Sequence, residues 1–361
     1  MNHEDITAVF QLESIGANHW RALFTPYAED GLKLARVAAA YGEEFELLTA
    51  EGPVRAETTG ALRYGAATAA DLPATGDWVA ARVTGFGQAL IHAVLPRRTV
   101  FSRRAAGSRH DEQVLAANLD AVFIVCGLDH DYNERRVERY LALTKASGAE
   151  VVIVLSKADL CTDVDAHLES IRRIAVGAET VAISSLTGAG LDRIERFLGG
   201  DRTIALLGSS GAGKSTLANA ILGDARQRTA AVRESDSRGR HTTTRRELIP
   251  LPRGGALIDT PGLRELQLWA DADSVDEVFE EISALAAQCR FRDCRHDAEE
   301  GCAVRAALGS GEIDPARWQS WRKLRAEAEH HERLTDHTAA LEQKRKWKAI
   351  HKAARVYKQR W

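Results

Sequence analysis

The rhythm of apolar and polar positions changes twice along this chain. The first thirty or so residues show no clear period and read as an arm or a short helix. From about Ala35 to Val100, short β-like runs are broken at turn-like intervals by Gly60, Gly65, Gly76, Gly85 and Gly87. Glu44–Leu48, Trp78–Val83 and Ala89–Val94 are examples, and such a segment suits a small five-stranded barrel of the OB type. From about Asp111 to Leu268, apolar runs alternate with helix-like stretches such as Glu134 to Ala146, the pattern of a parallel α/β sheet. The runs Ala121–Cys126, Val151–Leu155, Val181–Ile183, Thr203–Leu207 and Ala256–Ile258 read as buried strands. After Leu268 the pattern turns helical. Ser274 and Glu277 form a capping-box signature for a helix running to about Gln288, and another helix begins near Asp314-Pro315.

The predicted organisation is therefore an arm (1–34), a barrel (35–105), an α/β P-loop domain (111–268) and a helical domain with a tail (269–361). Composition adds bounds. The chain has 361 residues, with 45% hydrophobic and 27% charged, ordinary for a globular protein of two or three domains. No apolar run approaches the roughly 20 residues that span a bilayer, and the N-terminus lacks an export-signal pattern. A cytoplasmic monomer with no membrane contact is expected. The net charge of −3 is uneven: residues 343–361 carry eight Lys or Arg and no acid, leaving the remainder at −11. Any polyanion contact is then local.

The candidate chemistry lies at predicted strand ends, where open α/β sheets bind ligands. Gly208-Ser209-Ser210-Gly211-Ala212-Gly213-Lys214-Ser215-Thr216 follows a strand and has phosphate-loop spacing. Glycines let the backbone amides turn inward toward phosphates, Lys214 reaches the β- and γ-phosphates, and the Ser215 hydroxyl binds Mg²⁺. Asp259-Thr-Pro-Gly262 ends a later strand. There Asp259 suits Mg²⁺ binding through water, and the Gly262 amide suits sensing of a γ-phosphate. Between them, Gly239-Arg-His-Thr-Thr-Thr244 has the composition of a switch loop. Thr243, with Thr242 as the alternative, closes on Mg²⁺. Leu263 stands where a water-orienting Gln or Glu is expected, so intrinsic hydrolysis is slow and His241 is the internal substitute.

Ser156-Lys157-Ala158-Asp159 reads the base. The Asp159 carboxylate accepts from guanine N1–H and the 2-amino group, Lys157 lays its stem over the base, and Ser184-Ser185 close the pocket through the Ser185 amide. Ser156 stands where Asn is usual, which removes an amide that ties neighbouring loops together. The base-reading motif precedes the phosphate loop, the reverse of ordinary guanine-nucleotide switches, so the domain reads as circularly permuted. GTP and GDP with Mg²⁺ are the expected ligands. A P-loop ATPase and a non-catalytic rRNA-binding module are the alternatives.

Cys289-x4-Cys294-x-His296-x5-Cys302 gathers three thiols and an imidazole within fourteen residues, a set that suits one structural, tetrahedral Zn²⁺. At the C-terminus, Trp347, Ile350, Ala354, Tyr357 and Trp361 form an apolar helical stripe beside Lys344, Lys348, Lys352 and Arg355. That basic face suits either solvent or RNA phosphate.

Taken with Gly76-Asp77 and Pro96-Arg-Arg-Thr-Val-Phe-Ser-Arg103, these motifs resemble, in their order, the RsgA (YjeQ) family of circularly permuted GTPases. The resemblance covers most of the chain. It implies an N-terminal OB-fold, a permuted G domain and a C-terminal zinc domain. It also implies binding to the small ribosomal subunit and its rRNA late in maturation, with subunit-stimulated GTP hydrolysis.

Overall fold

The computed structural model describes residues 12–85, 87–104, 112–223, 246–259 and 270–330. They form two compact units, one of barrel and α/β sheet and one within 268–361.

Five strands make the barrel: β1 (Lys33–Tyr41), β2 (Glu44–Thr49), β3 (Gly52–Thr58), β4 (Trp78–Gly85) and β5 (Gln88–Val94). They pair in the order β1-β2-β3-β5-β4, and a β4–β1 pairing closes the ring. Only β3 and β5 run parallel. Alternate residues point inward, so Val37, Phe45, Leu47, Val79 and Ile91 fill the interior. A short ribbon follows, β6 (Val100–Arg104) with β7 (Glu112–Ala117).

The α/β sheet has the order β10-β9-β8-β11-β13-β12. Its strands are β8 (Ala121–Gly127), β9 (Glu150–Ser156), β10 (Glu179–Ala182), β11 (Gly200–Leu207), β12 (Glu247–Pro250) and β13 (Gly254–Asp259). The first five strands of that order are mutually parallel, and β12 is antiparallel to β13. Every residue of β8 is buried, as a central parallel strand covered on both faces requires. Phe123 meets Phe197 edge to face at 5.8 Å in that core. After the short helices α1 (Arg21–Ala28) and α2 (Gly60–Gly65), the helix α3 (Glu134–Ser147) begins at Asn133, whose side chain accepts from the Arg136 N–H, and ends at left-handed Gly148. Helix α4 (Val164–Ile174) comes next, and α5 (Lys214–Leu222) follows the phosphate loop.

Barrel and sheet share one joint. Ala39 of β1 pairs with Glu247 of β12, so hydrogen bonding continues from one to the other. Beneath it lies Arg36, 1% exposed. Its guanidinium donates to the carbonyls of Ile15, Gly76 and Asn118 and to Thr203 Oγ1, the last at 2.7 Å. Burial pushes its pKa down to about 10. Gly76 is needed there: a Cβ would sit 2.2 Å from the Ala117 carbonyl oxygen. Buried Asp77 receives two N–H bonds from Arg97, at 2.8 and 2.7 Å. The early residues dock at the same joint. Ile15 is buried, and Trp20 stacks on Trp78 at 5.6 Å and donates to the Pro96 carbonyl.

In the second unit the helical reading from Ser274 needs correction. Asp271 is the cap, accepting from the Ser274 N–H at 2.7 Å, and the helix Ala272–Val278 stops at Phe279. A separate helix, Glu280–Ala286, continues the chain. Asp271 wins because it directly precedes the first helical residue, Ala272, which places its carboxylate on the first-turn amides, whereas Ser274 already lies inside the helix. Helices Ala303–Ser310 and 315–330 complete the unit around Phe279, Ile282 and Val304, all buried. The basic tail beyond residue 330 lies outside the described residues. No helix among the described residues is long and apolar enough to cross a membrane.

Candidate functional site

The predicted site residues fall on the C-terminal edge of the parallel strands. β9 ends at Ser156, and Lys157 adopts a left-handed conformation that turns the chain into the short helix Ala158–Leu160. Ser184 and Ser185 follow β10, residues 208–213 follow β11, and Lys214, Ser215 and Thr216 form the first turn of α5. Asp259 is the last residue of β13, beside the phosphate-loop strand β11. His241, Thr242, Thr243 and Gly262 lie outside the described residues, as does the side chain of Asp259.

The phosphate loop is shaped by close packing. At Gly208 a Cβ would come within 2.3 Å of the Val125 carbonyl oxygen, so only glycine lets the loop leave β11 against β8. Gly213 stands at the N-cap of α5 and offers no side chain to the first-turn amides. Those amides and the positive end of the helix dipole are left for an anion. Among the described residues the amides of Ser210, Gly211 and Gly213 donate to no backbone carbonyl. Lys214 Nζ lies over the loop, donating to the carbonyls of Gly208 (2.7 Å) and Ser209. The arrangement is a cradle of N–H donors with one cation.

The base-reading loops are tied to that cradle. Ser156 is 2% exposed, and its hydroxyl donates to the Ala212 carbonyl inside the phosphate loop. The expectation that serine removes the tie between these loops is therefore corrected: the shorter side chain reaches because Gly213 packs against it, a Cβ there lying 3.2 Å from Ser156 Oγ. The Ala158 N–H donates to the Ile183 carbonyl at 3.0 Å and joins this loop to the end of β10. Asp159 is exposed and has no partner among the described residues. Ser185 Oγ is buried without a partner, and its backbone N–H donates to no carbonyl among the described residues. Leu160 and Leu186, 65% and 83% exposed, flank the same edge.

Sequence reasoning passed over Asp129 and Asp131, which follow β8. Lys157 pairs with Asp129, and Asp131 accepts from Ser209 Oγ in the phosphate loop and from Arg136 at 2.7 Å. These bonds hold both carboxyls below the usual carboxylate range, through Lys157 for Asp129 and through Arg136 for Asp131. The available signal was an acid-x-acid pair directly after a buried apolar run, at the same strand edge as the known motifs.

In the second unit, the ligand atoms of Cys289, Cys294, His296 and Cys302 lie within 4.8 Å of one another. Cys289 Sγ is 3.8 Å from Cys302 Sγ and 3.5 Å from His296 Nδ1, which is 3.4 Å from Cys302 Sγ. A tetrahedral ion with Zn–S bonds of about 2.3 Å requires sulfur–sulfur edges of about 3.8 Å, so the donors fit. His296 takes a left-handed backbone and sets its ring against Trp318, 5.6 Å away edge to face. Cys302 also caps the helix Ala303–Ser310, its sulfur accepting from the Arg305 N–H.

Residues 94–269 match the family model described as RsgA GTPase. The chain is 48% identical to the small ribosomal subunit biogenesis GTPase RsgA of Opitutus terrae, the match covering 96% of this chain and 97% of that protein. It is 45% identical to the small ribosomal subunit biogenesis GTPase RsgA 2 of Lactiplantibacillus plantarum, over 83% of this chain and 84% of that one. Among solved structures, YjeQ from Thermotoga maritima aligns with a TM-score of 0.62 at 24% identity, covering 82% of this chain and 98% of that one. YloQ, described as a circularly permuted GTPase, aligns with a TM-score of 0.57 at 21% identity, covering 83% and 96%. At those identities the two structures speak to the fold.

Proposed function

The chain belongs to the RsgA GTPase family of GTP-hydrolysing enzymes, and we propose that it binds the small ribosomal subunit late in its maturation and hydrolyses GTP to GDP and phosphate there. The relatives named for small-subunit biogenesis, aligned along almost the whole chain, carry this reading. The phosphate loop 208–213 holds the phosphates on its free amides, with Lys214 drawn from its present carbonyl partners onto the β- and γ-phosphates. Asp159 and the Ser185 amide read guanine, Lys157 lies over the base, and Ser156 ties that loop to the phosphate loop. Ser215, Asp259 and Thr243 are the residues that would hold Mg²⁺, which when bound neutralises charge developing on the phosphates. Thr242 is the alternative to Thr243. His241 positions water, and Gly262 senses the γ-phosphate.

The barrel, read as OB-type, and the basic C-terminal tail are the proposed rRNA contacts. Cys289, Cys294, His296 and Cys302 hold one structural Zn²⁺; with all four positions taken by protein, the site supports folding rather than chemistry. The protein works as a cytoplasmic monomer. GTP turnover by the full chain, alone and with purified small subunits, tests the proposal with ATP as control. Slow intrinsic turnover that rises about tenfold or more with subunits, for GTP only, is the expected result. Turnover unchanged by subunits would remove the ribosomal part of the reading.

A further inference from the structure

The turn Asp129–Asn133 touches both halves of the nucleotide site without belonging to any nucleotide motif. It leaves β8 between the two loops. Asp131 N–H donates to Asp129 Oδ1 at 3.1 Å, and Tyr132 N–H to the Asp129 carbonyl at 3.0 Å. Asn133 then caps α3. The turn is thus braced from within and anchored on a helix of fourteen residues. From it two carboxylates point apart. Asp129, its side chain 13% exposed, receives the Lys157 ammonium. Asp131, fixed by Arg136 at 2.7 Å, receives the Ser209 hydroxyl.

We propose that Asp129 and Asp131 are positioning residues for the nucleotide: Asp129 fixes Lys157 over the base, and Asp131 fixes the phosphate loop through Ser209. This rests on the reading of the nucleotide site given above. Lys157 has four rotatable side-chain bonds, and a stem meant to cover a base must be ordered before the base arrives. An ion pair at its end meets that ordering cost in advance. The lysine's left-handed backbone serves the same end, since it is held where a free residue seldom stays. At the other half, a loop of three glycines has little stiffness of its own, and one charge-assisted bond to Ser209 restricts it. The two carboxylates therefore serve separable parts of one ligand.

Separability supplies the test. Binding of GDP and of pyrophosphate, which occupies only the phosphate loop, is measured by calorimetry on the full chain, with a thermal melt for each variant. For Asp131→Ala we expect GDP and pyrophosphate to weaken alike, by about fivefold, as partly exposed charged bonds of this kind do. Asp131→Asn keeps an acceptor for Ser209 and restores most of both affinities. For Asp129→Ala we expect GDP to weaken by about fivefold with pyrophosphate unchanged. If both variants bound both ligands as the wild type does, or weakened them in one common pattern that followed the melt, the inference would be overturned alone. A wild-type protein that bound ADP as well as GDP would overturn the nucleotide-site reading first, and this inference with it.

Discussion

The nucleotide edge and the Cys₃His loop assemble polar groups by opposite means. The nucleotide edge draws residues from strands more than a hundred positions apart, and its donors are mostly backbone amides. The parallel sheet carries the strand ends, so the site rests on a core that exists whether or not a ligand is bound. The Cys₃His loop gathers all four of its candidate ligands from fourteen neighbouring residues, and its groups are side chains. Among the described residues no strand lies beneath it; His296 leans on Trp318, and Cys302 opens a helix. A site built on a prior core can lose its ligand and keep its fold. A site that is the local fold cannot.

Substitutions should separate the two. The largest effect is expected for Cys302→Ala, which removes a proposed zinc ligand and a helix cap together. Structural zinc in such small modules brings on the order of 10 kcal/mol of binding free energy to folding. We expect zinc content to fall and residues 270–330 to become protease-sensitive, while GDP still binds. Retained protection without zinc would break the comparison. Next is Lys214→Ala, expected to cut GTP turnover about a hundredfold or more, as loss of one preorganised charge at a transition state does. Its melting temperature should move little, because the lysine's ammonium donates to carbonyls of the phosphate loop, Gly208 and Ser209, rather than to the core of the sheet.

A smaller effect sharpens the tie between loops. Ser156→Ala leaves the Ala212 carbonyl without its buried donor, and GDP affinity should drop by about 1 kcal/mol in calorimetry. Unchanged affinity would mean that Gly213 packing alone holds the loops together.

The smallest effect concerns pH. Glu299 accepts N–H bonds from Arg295, Asp297 and Ala298 at 2.9–3.0 Å, bracing the Cys₃His loop. The Arg295 N–H and its neighbours hold that carboxyl down to about 2, from 4.5. A lowered acid stabilises the fold above its unfolded pKa and loses that contribution as pH falls from about 4.5 toward 2. Glu299→Ala should therefore melt slightly below wild type at neutral pH, and the gap should close as acid protonates the wild-type residue. A gap constant with pH would assign the effect to packing.

The sequence by itself determined what is local or periodic. Short β-like runs between glycines, such as Trp78–Val83, mark barrel strands, the fully apolar run at Ala121 marks a central parallel one, and the spacing from Gly208 to Lys214 carries its own loop geometry. The order of the Ser156–Asp159 motif before the phosphate loop was equally plain, since order along the chain needs no coordinates. Only the tertiary structure decided what depends on distance through space. Ser156 reaches Ala212 across 56 positions, Asp131 reaches Ser209 across 78, and Arg36 reaches Thr203 across 167. No pattern in the chain announces such bonds, because a lone polar residue looks the same in sequence whether it meets water or a partner. Helix starts fell between the two cases: Asp271 and Ser274 are both good caps, and which one the helix uses was decided by where packing of Val275, Val278 and Phe279 sets its first turn.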